Sequence, residues 1–138
     1  MKSMLVVAHG SRRAASNDEV RALAEKLKVY AADHYDDVRS AFLELAEPSI
    51  PDGIRACAAS GADEVVIVPY FLSAGRHVVE DIPAEIDSVR EELADVKIRQ
   101  SDYLGQMDCM LEVLFKASMR AEEGNARKAC ECLTVRYK

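Results

Sequence analysis

The chain lacks most of the features that mark specialised protein classes. Its 138 residues contain four cysteines, Cys57, Cys109, Cys130 and Cys132. That is too sparse for the disulfide framework of a small secreted domain. No segment approaches the roughly 20 apolar residues needed to cross a bilayer, so no membrane partner is expected. The net charge of −6 argues against a general nucleic-acid binder, which requires a positive face. Low-complexity tracts and internal repeats are absent too. The apolar run Met4–Ala8 is too short and too near the N-terminus to read as a secretory signal. A cytoplasmic globular protein with reduced thiols is the expectation, long enough to bury one real core.

Apolar runs and helical patterns alternate along the chain. Met4–Ala8 reads as a buried strand. Ser16 or Asn17 is placed to cap a helix reaching about Ala32, with Val20, Leu23, Leu27 and Tyr30 on one face. Val38–Leu45 reads as a second strand. Pro51 suits the first turn of a second helix that Gly61 terminates. Glu64–Val68, the most β-branched run, is the third strand. Residues 71–81 read as a long loop, and Pro83 opens a third helix over Ala84–Leu93. Val96–Arg99 is a weak fourth strand, and Gln106–Glu122 a last helix.

This alternation predicts an α/β three-layer sandwich around a four-stranded parallel sheet. Right-handed crossovers favour the order 2-1-3-4. The expected division is an α/β domain over residues 1–121 and a tail over 122–138. In that tail the alternating Leu133, Val135 and Tyr137 could add an edge strand.

Two histidines carry the strongest functional signal. His9, in Ala8-His9-Gly10-Ser11-Arg12, follows the first strand, and His77, in Phe71-Leu72-Ser73-Ala74-Gly75-Arg76-His77, follows the third. In the expected strand order these strands are neighbours, so both imidazoles flank the crevice at the carboxyl ends of the strands. Gly10 allows a sharp turn and close approach of a ligand. A histidine phosphatase is a rival reading, but the arginine that should precede its His-Gly pair is here Ala8. A chance histidine in a tight turn is the bland alternative.

Glu44 and Glu47 stand at or just beyond the second strand, where carboxylates beside imidazoles suit a divalent first-row ion and proton transfer. Alternatively, Glu44 lies on a solvated strand face and Glu47 complements the dipole of the Pro51 helix. Ser73, Ala74 and Gly75 expose backbone and leave room for a flat ligand, with Arg76 adding positive charge.

Taken together, "AHGSR", "FLELAEPSI" and "VPYFLSAGRHVVEDIP", in this order, resemble the sirohydrochlorin cobaltochelatase family, part of the class II tetrapyrrole chelatases. "YLGQMDCMLEVLFKA" is similar to the family's last helix. The resemblance runs from Met4 to about Met119. It implies a chelatase-like fold and ATP-independent insertion of a divalent ion into sirohydrochlorin, with no nucleotide. The ion is the substrate, cobalt first, with nickel and iron versions on the same scaffold. It implies His9 as metal ligand and proton acceptor, His77 as second ligand, Glu47 as a substrate contact, and Leu72–His77 as the lining of the macrocycle. Glu44 is added from the residues themselves as a second proton-transfer candidate.

The chemistry is coherent: the ion must shed water and the macrocycle two pyrrole protons, and a neutral imidazole, with an unperturbed pKa of ~6.5, can serve either step. Arg12, Arg13 and Arg76 are candidates for the positive patch that a polycarboxylate substrate needs on an acidic protein. Longer relatives carry two such domains in tandem, so the resemblance implies a homodimer for this chain. The last helix, with Met110, Leu111, Val113, Leu114, Phe115 and Ala117, is apolar on more than one side; it suits either pairing or a deep core position. A non-catalytic carrier of metal or tetrapyrrole is the alternative outside enzymology. His34 reads as solvated surface and Cys57 as core packing. Cys130-x-Cys132 reads as free tail thiols unless a dimer gathers four of them.

Overall fold

The computed structural model describes residues 1–123. β1 (Lys2–Ala8), β2 (Asp37–Phe42), β3 (Glu64–Pro69) and β4 (Lys97–Gln100) alternate with α1 (Ala14–Tyr30), α2 (Ile50–Ala59) and α3 (Ile82–Arg90). The sheet has the order β2-β1-β3-β4, and every pairing is parallel. This is the expected α/β architecture, with β1 central because the chain reverses its direction across the sheet between β1 and β3. Ala8 stands opposite Phe42 and Val7 opposite Pro69. The carboxyl ends of β1, β2 and β3 therefore lie level, and the loops that leave them share one rim.

Alternation along the strands feeds two apolar layers. Leu5 and Val7 of β1, Val65 and Ile67 of β3 and Ile98 of β4 pack with Ile50, Ile54 and Cys57 of α2 and Ile82, Ile86 and Val89 of α3. On the opposite face, Val6 and Val38 pack with Ala24, and Ala8 and Phe42 with Val20 of α1. The Cys57 thiol is fully buried, and burial pushes its pKa up to about 11. It is an inert packing group, as expected.

Several local expectations are corrected. Neither Ser16 nor Asn17 caps α1, which begins at Ala14 after Arg13 without a side-chain cap. Asn17 lies inside the first turn and is buried, because its amide is engaged elsewhere. The buried stripe of α1 runs through Val20 and Ala24; Tyr30, at the helix end, is 61% exposed. β2 ends at Phe42 instead of Leu45, since Leu45 takes a left-handed φ of 65° that an extended strand cannot hold. The cap of α2 is Ser49, whose Oγ accepts from the Asp52 N–H at 3.2 Å.

The loop expected over residues 71–81 is helical in its second half. His77–Asp81 forms a π turn that runs directly into α3. Pro83 offers no N–H and its ring crowds the preceding turn, which accounts for the widened register just before it. Leu104–Gln106 forms a 3₁₀ turn, and the last helix, α4, spans Cys109–Glu123.

The chain divides into two units, one of residues 1–106 and one beginning at Met107; α4 is the described helix of the second. No described helix is long and apolar enough to cross a membrane. Cys130, Cys132 and the edge strand expected around Leu133, Val135 and Tyr137 lie outside the described residues.

At the start of β2, Asp37 binds Arg39 Nε at 2.7 Å and Lys28 Nζ at 3.1 Å and accepts the Val38 N–H at 3.0 Å. Burial pushes its carboxyl up, but hydrogen bonds and charge from Arg39 and Lys28 outweigh this and hold it below the usual range. A carboxyl depressed on folding stabilises the fold above its unfolded pKa of about 3.9, and that stability is lost as pH falls through the lower folded value. Asp37→Asn is expected to lose about 1–3 kcal/mol at neutral pH. Urea unfolding from pH 7 to pH 2 should show a smaller acid-dependent loss in the variant than in the wild type.

Candidate active site

β1 delivers His9 to the rim, and the next two residues, Gly10 and Ser11, are fixed from two sides. Gly10 adopts φ +95°, and a Cβ there would collide with the Glu44 carbonyl oxygen. Only glycine lets the β1 loop lie this close to the segment after β2. That segment is stitched on by Leu43 N–H to Ala8 O and Glu44 N–H to His9 O, each 3.0 Å. From the other side, Asn17 clamps Ser11: the Ser11 N–H donates to Asn17 Oδ1 at 2.9 Å, and Asn17 Nδ2 donates to the Ser11 carbonyl at 2.8 Å. The amide that looked like a helix cap thus ties α1 to the His9 loop.

The π turn delivers His77 from the β3 side. The two imidazole rings meet edge to face, with centroids 4.6 Å apart and planes at 65°. Each ring has its own carboxylate. Glu44 Oε1 lies 3.2 Å from His9 Nε2, and Asp81 Oδ2 lies 2.8 Å from His77 Nδ1. His9 Nδ1 faces the Gly10 carbonyl at 3.1 Å. A carboxylate or carbonyl can only accept and a neutral imidazole has one N–H, so a neutral His9 satisfies one of its two acceptors. With the hydrogen on Nδ1 it donates to Gly10, and its Nε2 lone pair then faces the Glu44 carboxylate. All four side chains are partly exposed and reachable from solvent. A cleft of about 250 Å³ beside them is lined by Leu43, Glu44, His77, Asp81, Ala84 and Glu85. A larger groove of about 660 Å³ runs along α1 and β2 and contains no histidine. Among the described residues, no three His, Cys, Asp or Glu side chains are gathered as a ready-made metal cage.

The remaining sequence-derived candidates are spread around this centre. Glu47 is exposed; its carbonyl accepts from Arg21 Nη2 at 2.9 Å, and no hydrogen bond or ion pair joins its carboxylate to either histidine. Leu72 is 70% exposed, and Ser73, Ala74 and Gly75 are exposed with it. Nothing lies within 4 Å of where a Cβ would stand on Gly75, so this stretch borders open space. Leu45, Tyr70 and Val79 are further exposed apolar side chains on the same loops. Arg12 and Arg13 are exposed, whereas Arg76 is drawn to Glu80 at 3.4 Å, which offsets part of its charge.

Three residues absent from the sequence-derived list shape this site. Asn17 and Asp81 are two; Asp81 stands four residues from His77, a helical spacing visible in the sequence, whereas the six-residue separation of Asn17 from Ser11 carried no such signal. The third is Gly105: a Cβ there would collide with the Leu72 carbonyl oxygen, and its N–H donates to Phe71 O at 3.0 Å. The turn at Gly105 braces the loop that precedes His77.

Asn17→Ala removes both bonds to Ser11 and leaves its backbone groups without their partner. The expected cost is about 1–3 kcal/mol in denaturant unfolding. Exchange of the Ser11 amide hydrogen should accelerate in the variant beyond what global destabilisation explains.

Comparison with known proteins fits this geometry. Residues 3–121 match the sequence model of the CbiX family. The chain is 33% identical to the chloroplastic sirohydrochlorin ferrochelatase of Arabidopsis thaliana, over 94% of this chain and 58% of that protein. It is 32% identical to the sirohydrochlorin cobaltochelatase of Sulfurisphaera tokodaii, over 83% of this chain and 88% of that one. The crystal structure of the sirohydrochlorin chelatase SirB from Bacillus subtilis subspecies spizizenii, in complex with cobalt, superposes with a TM-score of 0.76 at 29% identity, covering 83% of this chain and 48% of that one. The chain spans about half the length of several of the curated relatives it matches. With a match across most of its length, the chain belongs to the CbiX family.

Proposed function

We propose that this protein is a chelatase that inserts a divalent ion, cobalt, into sirohydrochlorin without a nucleotide, in cobalamin formation. One observation carries the reading: two imidazoles from neighbouring strands meet at 4.6 Å, each backed by a carboxylate, beside a loop open to a flat ligand. The names of the relatives, cobaltochelatase and ferrochelatase alike, support the substrate and leave cobalt as the finer part of the proposal. Imidazole and carboxylate donors suit cobalt, nickel and iron.

His9 and His77 hold the incoming ion through ring nitrogens. As the ion enters the macrocycle, two pyrrole N–H protons leave, which balances its charge. His9 Nε2 accepts one of these protons when its lone pair is released from the ion, and Glu44 then receives a hydrogen bond from the new Nε2–H and stabilises the imidazolium. The second proton passes to water at this solvent-exposed rim. Glu47 contacts substrate on the same rim. Leu72, Ser73, Ala74 and Gly75 lie along the macrocycle, with Arg76 at their end. Arg12, exposed and with no ion pair among the described residues, attracts the substrate's carboxylates.

Two copies of the chain complete the functional unit as a homodimer in the cytoplasm. Leu111, Val113, Leu114 and Phe115 of α4 are exposed, an apolar surface of the kind that pairing buries. Sedimentation at micromolar concentration is expected to give a dimer, and a monomer would remove this part of the proposal.

Metallation of sirohydrochlorin, followed by absorbance with cobalt, nickel and iron in turn, tests the chemistry. His9→Ala and His77→Ala are each expected to lower the rate about 100-fold or more, with the circular dichroism of the fold unchanged. A wild-type protein that binds the ion and macrocycle without accelerating their union is a carrier. Faster turnover with iron or nickel reassigns the ion.

A further inference from the structure

The two histidines are held in different ways, and the difference assigns a role to Asp81. His9 has an acceptor at each ring nitrogen, Gly10 O at Nδ1 and Glu44 at Nε2. His77 has one, at Nδ1, where Asp81 Oδ2 stands at 2.8 Å. Its Nε2 has no hydrogen-bond partner among the described residues. We infer that Asp81 is a positioning residue: its carboxylate holds the hydrogen of neutral His77 on Nδ1 and so keeps the Nε2 lone pair free for the metal ion.

The carboxylate is acceptor-only, so a short contact to Nδ1 selects the tautomer that carries its hydrogen there. The alternative tautomer would set two lone pairs against each other at that contact and leave a hydrogen on the nitrogen that must bind. The bond also restricts rotation of the ring. His77 sits on an exposed π turn, and without an anchor the imidazole would sample several rotamers. Because the π turn continues into α3, whose Ile82, Ile86 and Val89 are buried in the core, Asp81 borrows the rigidity of that helix. A metal-binding imidazole whose second nitrogen donates to a carboxylate is also held in one orientation toward the ion. Glu80 is not an equivalent anchor; it faces Arg76.

The assignment rests on the chelatase reading for the use made of Nε2, but the tautomer can be read on the metal-free protein. Two-bond ¹H–¹⁵N correlation spectra of ¹⁵N-histidine protein, taken with the pH raised until the ring nitrogen shifts no longer change, distinguish the two forms; His77→Ala assigns the signals. The wild type is expected to show His77 with its hydrogen on Nδ1. Asp81→Ala should shift it toward Nε2–H or a mixture and weaken cobalt binding by about 10–100-fold, measured calorimetrically with the metal alone. Asp81→Leu, similar in size and without an acceptor, serves if the alanine variant does not fold. Wild-type His77 with its hydrogen on Nε2 overturns the assignment without any variant, as does a variant that keeps both tautomer and cobalt affinity. A wild type with the Nδ1 hydrogen that metallates no macrocycle instead counts against the chelatase reading alone.

Discussion

Parallel pairing between β1 and β3 is the constraint on which the site depends. An unbroken parallel register from Lys2 opposite Glu64 to Val7 opposite Pro69 brings both strands to the same rim at nearly the same height. His9 lies one residue beyond its strand and His77 eight beyond its own, yet their rings touch. A parallel pair demands a crossover, and here that crossover carries β2, α2 and the Glu44 segment. The connection that the sheet requires therefore also supplies the carboxylate on His9.

Around that constraint, backbone contacts do most of the positioning. Gly10 lies against the Glu44 carbonyl and Gly105 against the Leu72 carbonyl, while Asn17 satisfies both backbone groups of Ser11. These contacts set the loops, and the loops aim the imidazoles. The reactive side chains themselves are half exposed, so their ion pairs are screened and contribute little to folding. Stability resides in the two apolar layers, and the rim is left free to be shaped for chemistry. Because of this division, changes at the rim disturb little of the core.

Much of this was legible in the residues. The β-branched run Glu64–Val68 and the apolar Met4–Ala8 read as strands because burial on both faces of a parallel sheet demands continuous apolar sequence. The reading failed where local pattern and tertiary context diverge. Asn17 satisfies every local rule for a helix cap, but a buried amide goes to whichever partner the fold presents, and here that is Ser11. Leu45 has an apolar side chain suited to a strand, while its positive φ answers to the return of the chain toward Ser49. The π turn at His77–Asp81 was hidden because no short-range periodicity of 3.6 or 2 residues describes it.

The sequence by itself determined the alternation of elements, the strand order and the identity of the chemical groups, since these follow from hydrophobic period, the handedness of crossovers and residue type. It placed His9 and His77 on the same rim. The tertiary structure alone decided their contact, the pairing of Glu44 with one ring and Asp81 with the other, and the distance of Glu47 from hydrogen-bonding reach of either. The reason is physical: hydrogen bonds between side chains discriminate over tenths of an ångström, and such distances are set by loops whose course depends on backbone contacts between residues far apart in the chain.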